Sequence, residues 1–105
     1  TRFKAPQDWT QDGEVSEYEG REALAAEGDF ISGHFKKPSV AVGEKLYVLR
    51  DEAPEDSDQD KTARYLVRVG VVSVQKDLGK GVYRLLILRS GDSVQVGDFL
   101  SKERL

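Results

Sequence analysis

The chain has 105 residues, of which 38% are apolar and 10 are Gly, and its formal net charge is −3 at pH 7. This composition is typical of a globular domain and excludes a disordered chain, while the length suffices for one modest hydrophobic core. The chain has no Cys and one His, which leaves thiolate chemistry, zinc sites and catalytic triads short of the residues they need. We therefore expect a protein that is not an enzyme, with no metal or cofactor site.

The opening residues 1–11 predict a linker or N-terminal arm, followed by a single β-barrel domain at residues 12–105. Phe3 and Trp9 are isolated aromatic residues in this segment, and Pro6 lies between them. The chain begins with Thr1 rather than Met, which favours a domain cut from a longer protein. No apolar run approaches the roughly 18 residues that a transmembrane helix requires.

Short strands are predicted next, at residues 14–19, 29–35 and 45–50. The third of these (KLYVLR) has apolar residues on both faces. Residues 21–27 (REALAAE) are the one segment with helix-forming composition, and they are long enough for at most two turns before a glycine.

The second half of the chain has the alternating pattern of β-strands. Apolar residues alternate along 64–71, and the parity changes at Gly70, which indicates a β-bulge or a barrel corner. Residues 77–81 (DLGKG) predict a hairpin loop, and the apolar run at 82–89 predicts a central strand. The fold class is therefore all-β: a small closed or nearly closed barrel of about six or seven short strands with at most one short helix. The predicted core comprises Leu46, Val48, Val67, Val69, Val72, Val74, Leu85, Ile87 and Leu100.

An internal repeat links the two halves of the chain. Residues 40–46 and 94–100 share the pattern V-x-V-G-acid-x-L at an offset of 54 positions. In each copy the glycine can take a left-handed turn conformation and the acidic side chain can accept backbone hydrogen bonds. The repeat predicts two equivalent barrel corners, and a ligand-binding role for Glu44 and Asp98 is the alternative.

One acidic stretch partly matches a calcium-binding loop. Asp56, Asp58 and Asp60 hold loop positions 1, 3 and 5, but Lys61 replaces the required glycine at position 6 and Val67 replaces the glutamate at position 12. We interpret residues 51–60 as a solvated acidic loop.

A hydrolytic site is equally poorly supported. Asp29, Ser32 and His34 lie along one predicted strand, where the side chains of Ser32 and His34 run parallel and no base reaches across to a nucleophile. They predict an ordinary polar strand surface.

The net charge hides an asymmetry between the two halves of the chain. Residues 1–60 carry 7 Lys and Arg against 15 Asp and Glu, a net charge of −8, whereas residues 61–105 carry 9 against 4, a net charge of +5. The longest cluster of basic residues is Lys36-Lys37, which disfavours nucleic acid as a partner.

A cationic strand face is the candidate partner-binding site. Alternation puts Arg64, Leu66 and Arg68 on the outward face of one strand, with Arg84 on a neighbouring strand. These residues could receive an acidic partner or this chain's own acidic loop 51–60. The alternative is a solvated strand face with no partner.

Residues 43–50 (GEKLYVLR), 69–74 (VGVVSV) and 83–101 (YRLLILRSGDSVQVGDFLS) carry a family resemblance. They resemble the C-terminal β domain that follows a LysM peptidoglycan-binding module in Gram-negative envelope proteins, including type IV pilus secretin-associated proteins. The C-terminal domain of flagellar assembly protein T is a relative of that family. The chain itself carries no LysM module, so any peptidoglycan binding belongs to a module outside it, and segment 51–60 departs from the turn expected in the family.

The resemblance implies a non-catalytic interaction or scaffolding domain in the periplasm or cell envelope. Its partner would be an envelope protein assembly such as a secretin, pilus or flagellar base. The alternative function is a carbohydrate or cell-wall glycan binding domain, which needs exposed aromatic rings. Trp9 and Tyr18 are the aromatic residues predicted to be free for that role.

Overall fold

The computed structural model of the protein describes residues 2–20, 25–37, 40–52 and 63–105. These ranges contain seven β-strands and no helix, and none of them forms a helix of the length and hydrophobicity that a membrane crossing needs. Residues 21–24 of the predicted helical segment lie outside the described ranges. The strands are β1 (Arg2–Lys4), β2 (Gly13–Tyr18), β3 (Phe30–Phe35), β4 (Lys45–Asp51), β5 (Tyr65–Gly79), β6 (Val82–Ser90) and β7 (Phe99–Ser101).

The strands form one antiparallel sheet that closes on itself. Their order is β1-β5-β4-β7-β2-β3-β6, and a further pairing between β5 and β6 completes the ring. Six strands therefore form a closed barrel, which leaves few exposed strand edges. β1 lies outside the barrel and pairs with the first three residues of β5. The predicted all-β barrel is confirmed, whereas β1 lies in the segment predicted as a linker or arm.

β5 bends at Gly70, where its alternation changes parity. The registers of β5 against both β4 and β6 shift within two residues of this glycine. A Cβ atom on Gly70 would lie 2.3 Å from the carbonyl oxygen of Arg89, so a side chain here would push β6 away. The predicted bulge is confirmed, and the predicted hairpin connects β5 to β6 through Lys80 and Gly81.

Three turns with a common geometry lead into β3, β4 and β7. In each turn a glycine with positive φ precedes an acidic residue, whose N–H donates to the carbonyl oxygen three residues earlier at 2.9–3.0 Å. The acidic side chain accepts a hydrogen bond from the N–H of that earlier residue at 2.8–3.1 Å. Positive φ at the third position is typical of a type II turn and favours glycine. The turns occupy residues 26–29, 41–44 and 95–98.

The backbone of each turn pairs with a strand that is distant in sequence. The glycine N–H donates to a carbonyl oxygen of that strand at 2.7–2.9 Å, and the N–H of the same strand residue donates to the carbonyl oxygen of the acidic residue at 2.8–3.0 Å. The strand residues, all buried in the barrel, are Ile87 of β6, Val74 of β5 and Val15 of β2, in the order of the turns.

The two corners predicted by the sequence repeat, at Gly43 and Gly97, are confirmed. The sequence pattern does not reveal the third corner, at Gly28, because Ala25 and Glu27 stand where the other two copies have valines. All three copies retain the glycine, the acidic residue and a fully buried aliphatic residue two positions later.

The interior of the barrel holds the larger of two apolar clusters. Eight of the nine predicted core residues belong to it, and Val67 is the exception, since it is only partly buried. The cluster comprises Val15, Ala25, Ile31, Phe35, Leu46, Val48, Val69, Val72, Val74, Tyr83, Leu85, Ile87, Val94 and Leu100.

A second apolar cluster lies on the outer face of the barrel, and we call it the outer cluster. Leu49 of β4 and Leu66 of β5 point outward and are covered by Ala5 and Trp9 of the N-terminal segment. Phe3, Phe99 and Leu105 pack around them. The Trp9 and Phe99 rings meet edge to face, with centroids 6.3 Å apart.

The acidic residue of the third turn, Asp98, also binds an arginine side chain. The Arg50 guanidinium group donates to both carboxylate oxygens of Asp98, at 2.8 and 2.9 Å, and to the Ser93 carbonyl oxygen at 2.7 Å. The hydrogen bond to Asp98 is the main reason that the pKa of Arg50 is raised. Because Asp98 is only 4% exposed, this charge pair is shielded from water and ties the end of β4 to the turn before β7.

Replacing Asp98 with Asn should lower the free energy of unfolding by about 2–4 kcal/mol, because Arg50 loses its charged partner in a partly buried site. Asp29→Asn is the matched control, since Asp29 holds the same turn position but is exposed, and among the described residues its carboxylate accepts a hydrogen bond only from the Ala26 N–H. Its cost should stay below about 1 kcal/mol. Urea unfolding of both variants measures the difference, and equal losses would contradict the role given to the pair.

Candidate functional site

A groove on the outer face of the barrel is the candidate site. It has a volume of about 370 Å³ and lies across β4, β5 and β6, beside the segment that follows β7. We call it the basic groove. Its lining residues are Tyr47, Val48, Leu49, Arg68, Val69, Gly70, Val71, Arg89, Ser90, Gly91, Arg104 and Leu105.

The charged side chains that line the groove are all positive among the described residues. Arg68, Arg89 and Arg104 contribute three guanidinium groups, and the described part of the lining has no Asp or Glu. Arg89 and Arg104 are exposed, and the side chain of neither makes a hydrogen bond or ion pair with the residues that the structure describes. Within that part of the chain, the groove therefore presents two guanidinium groups without a partner to solvent.

The floor between these arginines is apolar. Leu49 and Leu105 belong to both the groove lining and the outer cluster, so the floor continues that cluster beyond the part covered by the N-terminal segment. Val71 and the half-buried ring of Tyr47 extend it. Gly70 also lines the groove, where it adds no side chain.

Internal contacts hold one wall of the groove in place. The Arg68 Nε group donates to the Leu105 carbonyl oxygen at 2.7 Å, while its guanidinium carbon lies 4.3 Å from the centroid of the Phe3 ring. The Lys102 N–H donates to the Asp12 carboxylate at 2.7 Å. These bonds fix the path of residues 102–105, so a ligand would meet a largely preformed surface.

Of the four predicted partner-binding residues, Leu66 requires a correction. Alternation correctly put it on the outward face of β5, but it has no exposed surface, since the N-terminal segment covers that face. Leu66 is therefore a packing residue and has no surface to offer a partner.

Arg64 contacts the same covering layer. Its guanidinium group lies over the rings of Trp9 and Phe99, at 4.9 and 5.1 Å from their centroids, and 3.9 Å from the Asp51 carboxylate. The Arg64 side chain is therefore engaged in contacts within the fold. Residues 53–60 of the acidic loop that was predicted as an alternative internal partner lie outside the described residues.

The Arg84 side chain makes its contacts on another part of the barrel, outside the basic groove. It donates two hydrogen bonds to the Glu19 carboxylate, at 2.8 and 2.7 Å, and stacks 3.6 Å above the centroid of the Phe30 ring. The hydrogen bond from Arg84 is the main cause that lowers the pKa of Glu19. Of the four predicted residues, the structure brings only Arg68 into the basic groove.

The sequence did not reveal Arg89 or Arg104 as site residues. Strict alternation along β6 turns Arg89 toward the interior with Leu85 and Ile87, yet the register shift opposite Val71 leaves it exposed. A charged residue at an inward position is itself a signal of such a shift. Arg104 follows the last strand, and no local pattern indicates which face its segment crosses.

The other predicted candidates do not gather into a reactive site. The carboxylates of Glu44 and Asp98 both accept hydrogen bonds within their own turns, which supports the structural reading. Within the described ranges, no group of three His, Asp or Glu residues could hold a metal ion. The calcium-like residues Asp56, Asp58 and Asp60 lie outside those ranges.

The aromatic residues predicted for glycan binding are not both free. Trp9 is only 7% exposed, and its indole N–H donates to the Ser101 hydroxyl at 3.3 Å, so the prediction that it is free is wrong. Tyr18 is half-buried, and its hydroxyl accepts a hydrogen bond from the Val96 N–H at 3.2 Å. No flat pair of exposed rings forms from these two residues.

No family model, curated protein or solved structure matches this chain. The resemblance to LysM-associated envelope domains therefore stays a prediction.

Leu66→Ala tests whether this outward position is buried. It should lower the free energy of unfolding by about 2–5 kcal/mol, because the outer cluster loses contacts and gains a cavity. Leu78→Ala is the control, since Leu78 is 49% exposed, and its cost should be under about 1 kcal/mol. Chemical denaturation measures both, and a negligible effect of Leu66→Ala would show that the outward face of β5 is open.

Proposed function

We propose that this domain is a non-catalytic interaction domain that binds an acidic region of a partner protein. The observation that carries the proposal is the basic groove, where Arg89 and Arg104 flank an apolar floor and have no partner within the described residues. An arginine binds a carboxylate through two parallel hydrogen bonds and is weakly hydrated, which suits it to interfaces. An acidic protein segment with apolar side chains matches both properties of the groove.

The charge distribution supports the same partner. Residues 61–105 carry a net charge of +5 although the whole chain carries −3, and all three arginines of the groove come from this half. Local positive potential accelerates encounter with an acidic surface and disfavours basic competitors. Binding should therefore weaken as salt concentration rises.

The setting that we propose is the bacterial cell envelope. It rests on the resemblance of residues 43–50, 69–74 and 83–101 to the domain that follows LysM modules. In that setting the domain would dock onto an envelope assembly such as a secretin, pilus or flagellar base, while a module outside this chain holds peptidoglycan. Glycan binding by this domain itself has less support, since Trp9, one of the two aromatic residues predicted for it, is buried.

A random peptide library displayed on phage tests the interaction. We expect the selected peptides to be rich in Asp and Glu and to lose at least about tenfold in affinity for the Arg89→Glu/Arg104→Glu variant, since each reversal repels a carboxylate. Lys76→Glu/Lys80→Glu changes the net charge equally at exposed sites outside the groove and should leave affinity nearly unchanged. Neutral or basic selected peptides, or equal losses in both variants, would contradict the proposal.

Fractionation of cells that produce the full-length protein tests the setting. We expect the protein in the periplasmic fraction, separate from a cytoplasmic marker enzyme. Recovery with the cytoplasmic marker would contradict the envelope assignment, and would leave the binding of acidic segments to be judged by the peptide selection alone.

A further inference from the structure

We infer that the basic groove recognises an extended segment in which one aliphatic residue lies between two acidic residues, at alternate positions: acid-x-aliphatic-x-acid. This inference rests on the proposed function and specifies the partner of the same site. It follows from three features of the groove, which are its two guanidinium groups without a partner among the described residues, the apolar part of its lining and the span of the three strands that it crosses.

The two free guanidinium groups approach the groove from different sides. Arg89 lies on β6, where it is paired with Val71 of β5. Arg104 lies on the segment that leaves β7 beside Tyr47 of β4 and reaches β5 at the bond between Arg68 and the Leu105 carbonyl. Each free cation can therefore receive its own carboxylate.

Arg68 does not provide a third equivalent position. Its Nε group is committed to Leu105 and its planar face to Phe3. Its charge adds positive potential to the floor of the groove, while these two contacts hold the groove wall in place. Arg89 and Arg104 are the two guanidinium groups of the groove that make no hydrogen bond, ion pair or ring contact with the described residues, and each can receive a carboxylate.

The floor between the arginines calls for an apolar side chain. Leu105 and Val71 lie there beside the ring of Tyr47, and Leu49 beneath them connects the floor to the outer cluster. An aliphatic side chain laid on this floor would enlarge that cluster and remove apolar surface from water. A purely acidic segment would cover the same surface with charged groups and gain less.

Strand geometry sets the spacing of the three ligand residues. The groove spans β4 to β6, which is two interstrand spacings or about 10 Å, and the side chains of Arg89 and Arg104 extend from β6 and from the segment that crosses between β4 and β5. In an extended segment alternate side chains share one face, and residues four apart are separated by about 13 Å. Acidic residues two positions before and after the aliphatic residue can therefore reach the two arginine side chains while its own side chain faces the floor.

Three synthetic peptides of the same length test this arrangement. The reference peptide carries Asp-Thr-Leu-Thr-Glu between short Gly-Ser flanks with blocked ends. One comparison peptide replaces Leu with Ser, and another keeps the composition but makes Asp and Glu adjacent. Fluorescence anisotropy at low salt should give at least about fivefold weaker binding for each comparison peptide than for the reference.

Variants of the protein show which residues bind the reference peptide. Arg89→Gln and Arg104→Gln should each weaken the reference peptide at least about fivefold and reduce its advantage over the peptide with adjacent acids. Lys76→Gln, an exposed position outside the groove, is the matched control and should retain both the affinity and the advantage. Unchanged circular dichroism spectra verify that all three variants are folded.

The outcomes separate this inference from the proposed function. Equal binding of all three peptides, or no binding of any of them while acidic peptides from the library still bind at Arg89 and Arg104, overturns the arrangement and leaves the proposed function standing. Absence of acidic peptides from the selection together with no binding of the reference peptide overturns both. Binding that persists unchanged in Arg89→Gln and Arg104→Gln also overturns the inference, since it places the ligand elsewhere.

Discussion

The barrel depends on the backbone pairing that each glycine-acid turn makes with a strand distant in sequence. Gly28, Gly43 and Gly97 each donate to a strand residue, and the same residue donates back to the acidic position that follows the glycine. The receiving residues are buried in the core, so hydrophobic packing positions these turns as firmly as the hydrogen bonds do. Each turn also satisfies its own polar groups through the acidic side chain. The short strands β3, β4 and β7 therefore start in a fixed register, which lets a small sheet close.

Closure leaves the outer face of β4 and β5 with apolar side chains that the barrel cannot bury. Leu49 and Leu66 point outward, and the N-terminal segment covers them with Ala5 and Trp9. Arg64 and Arg68 stack on the aromatic residues of this layer instead of extending freely into water. The cover ends near Gly70, and the basic groove begins there with Leu49 and Leu105 as shared residues. The candidate site thus lies at the edge of the outer cluster, where the N-terminal segment no longer covers the barrel.

Local patterns predicted the barrel well because strand periodicity and turn chemistry are properties of neighbouring residues. Alternation and the parity change at Gly70 indicated the strands and the bulge, and the repeat indicated two of the three corners. The same patterns failed at Leu66 and Trp9, because an outward position is exposed only if no distant segment covers it. They also could not assemble the groove, since Arg68, Arg89 and Arg104 come from three separate segments. The register shift that exposes Arg89 arises from the pairing of β5 with β6.

The unpaired arginines are not the result of too few carboxylates. The chain has more Asp and Glu than Lys and Arg, and several of the described acidic residues pair with nearby cations or backbone amides. Asp98 holds Arg50, Glu19 holds Arg84, and Asp12 accepts the Lys102 N–H. Each of these carboxylates is placed by a strand end or turn that the barrel itself requires. The side chains of Arg89 and Arg104 have no partner among the described residues, so their charges face solvent beside an apolar floor. Folding alone gives no reason for that combination, because an exposed cation contributes little to stability and an exposed apolar floor costs free energy. The proposed partner, with its carboxylates and an aliphatic side chain, would pair the charges and cover the floor.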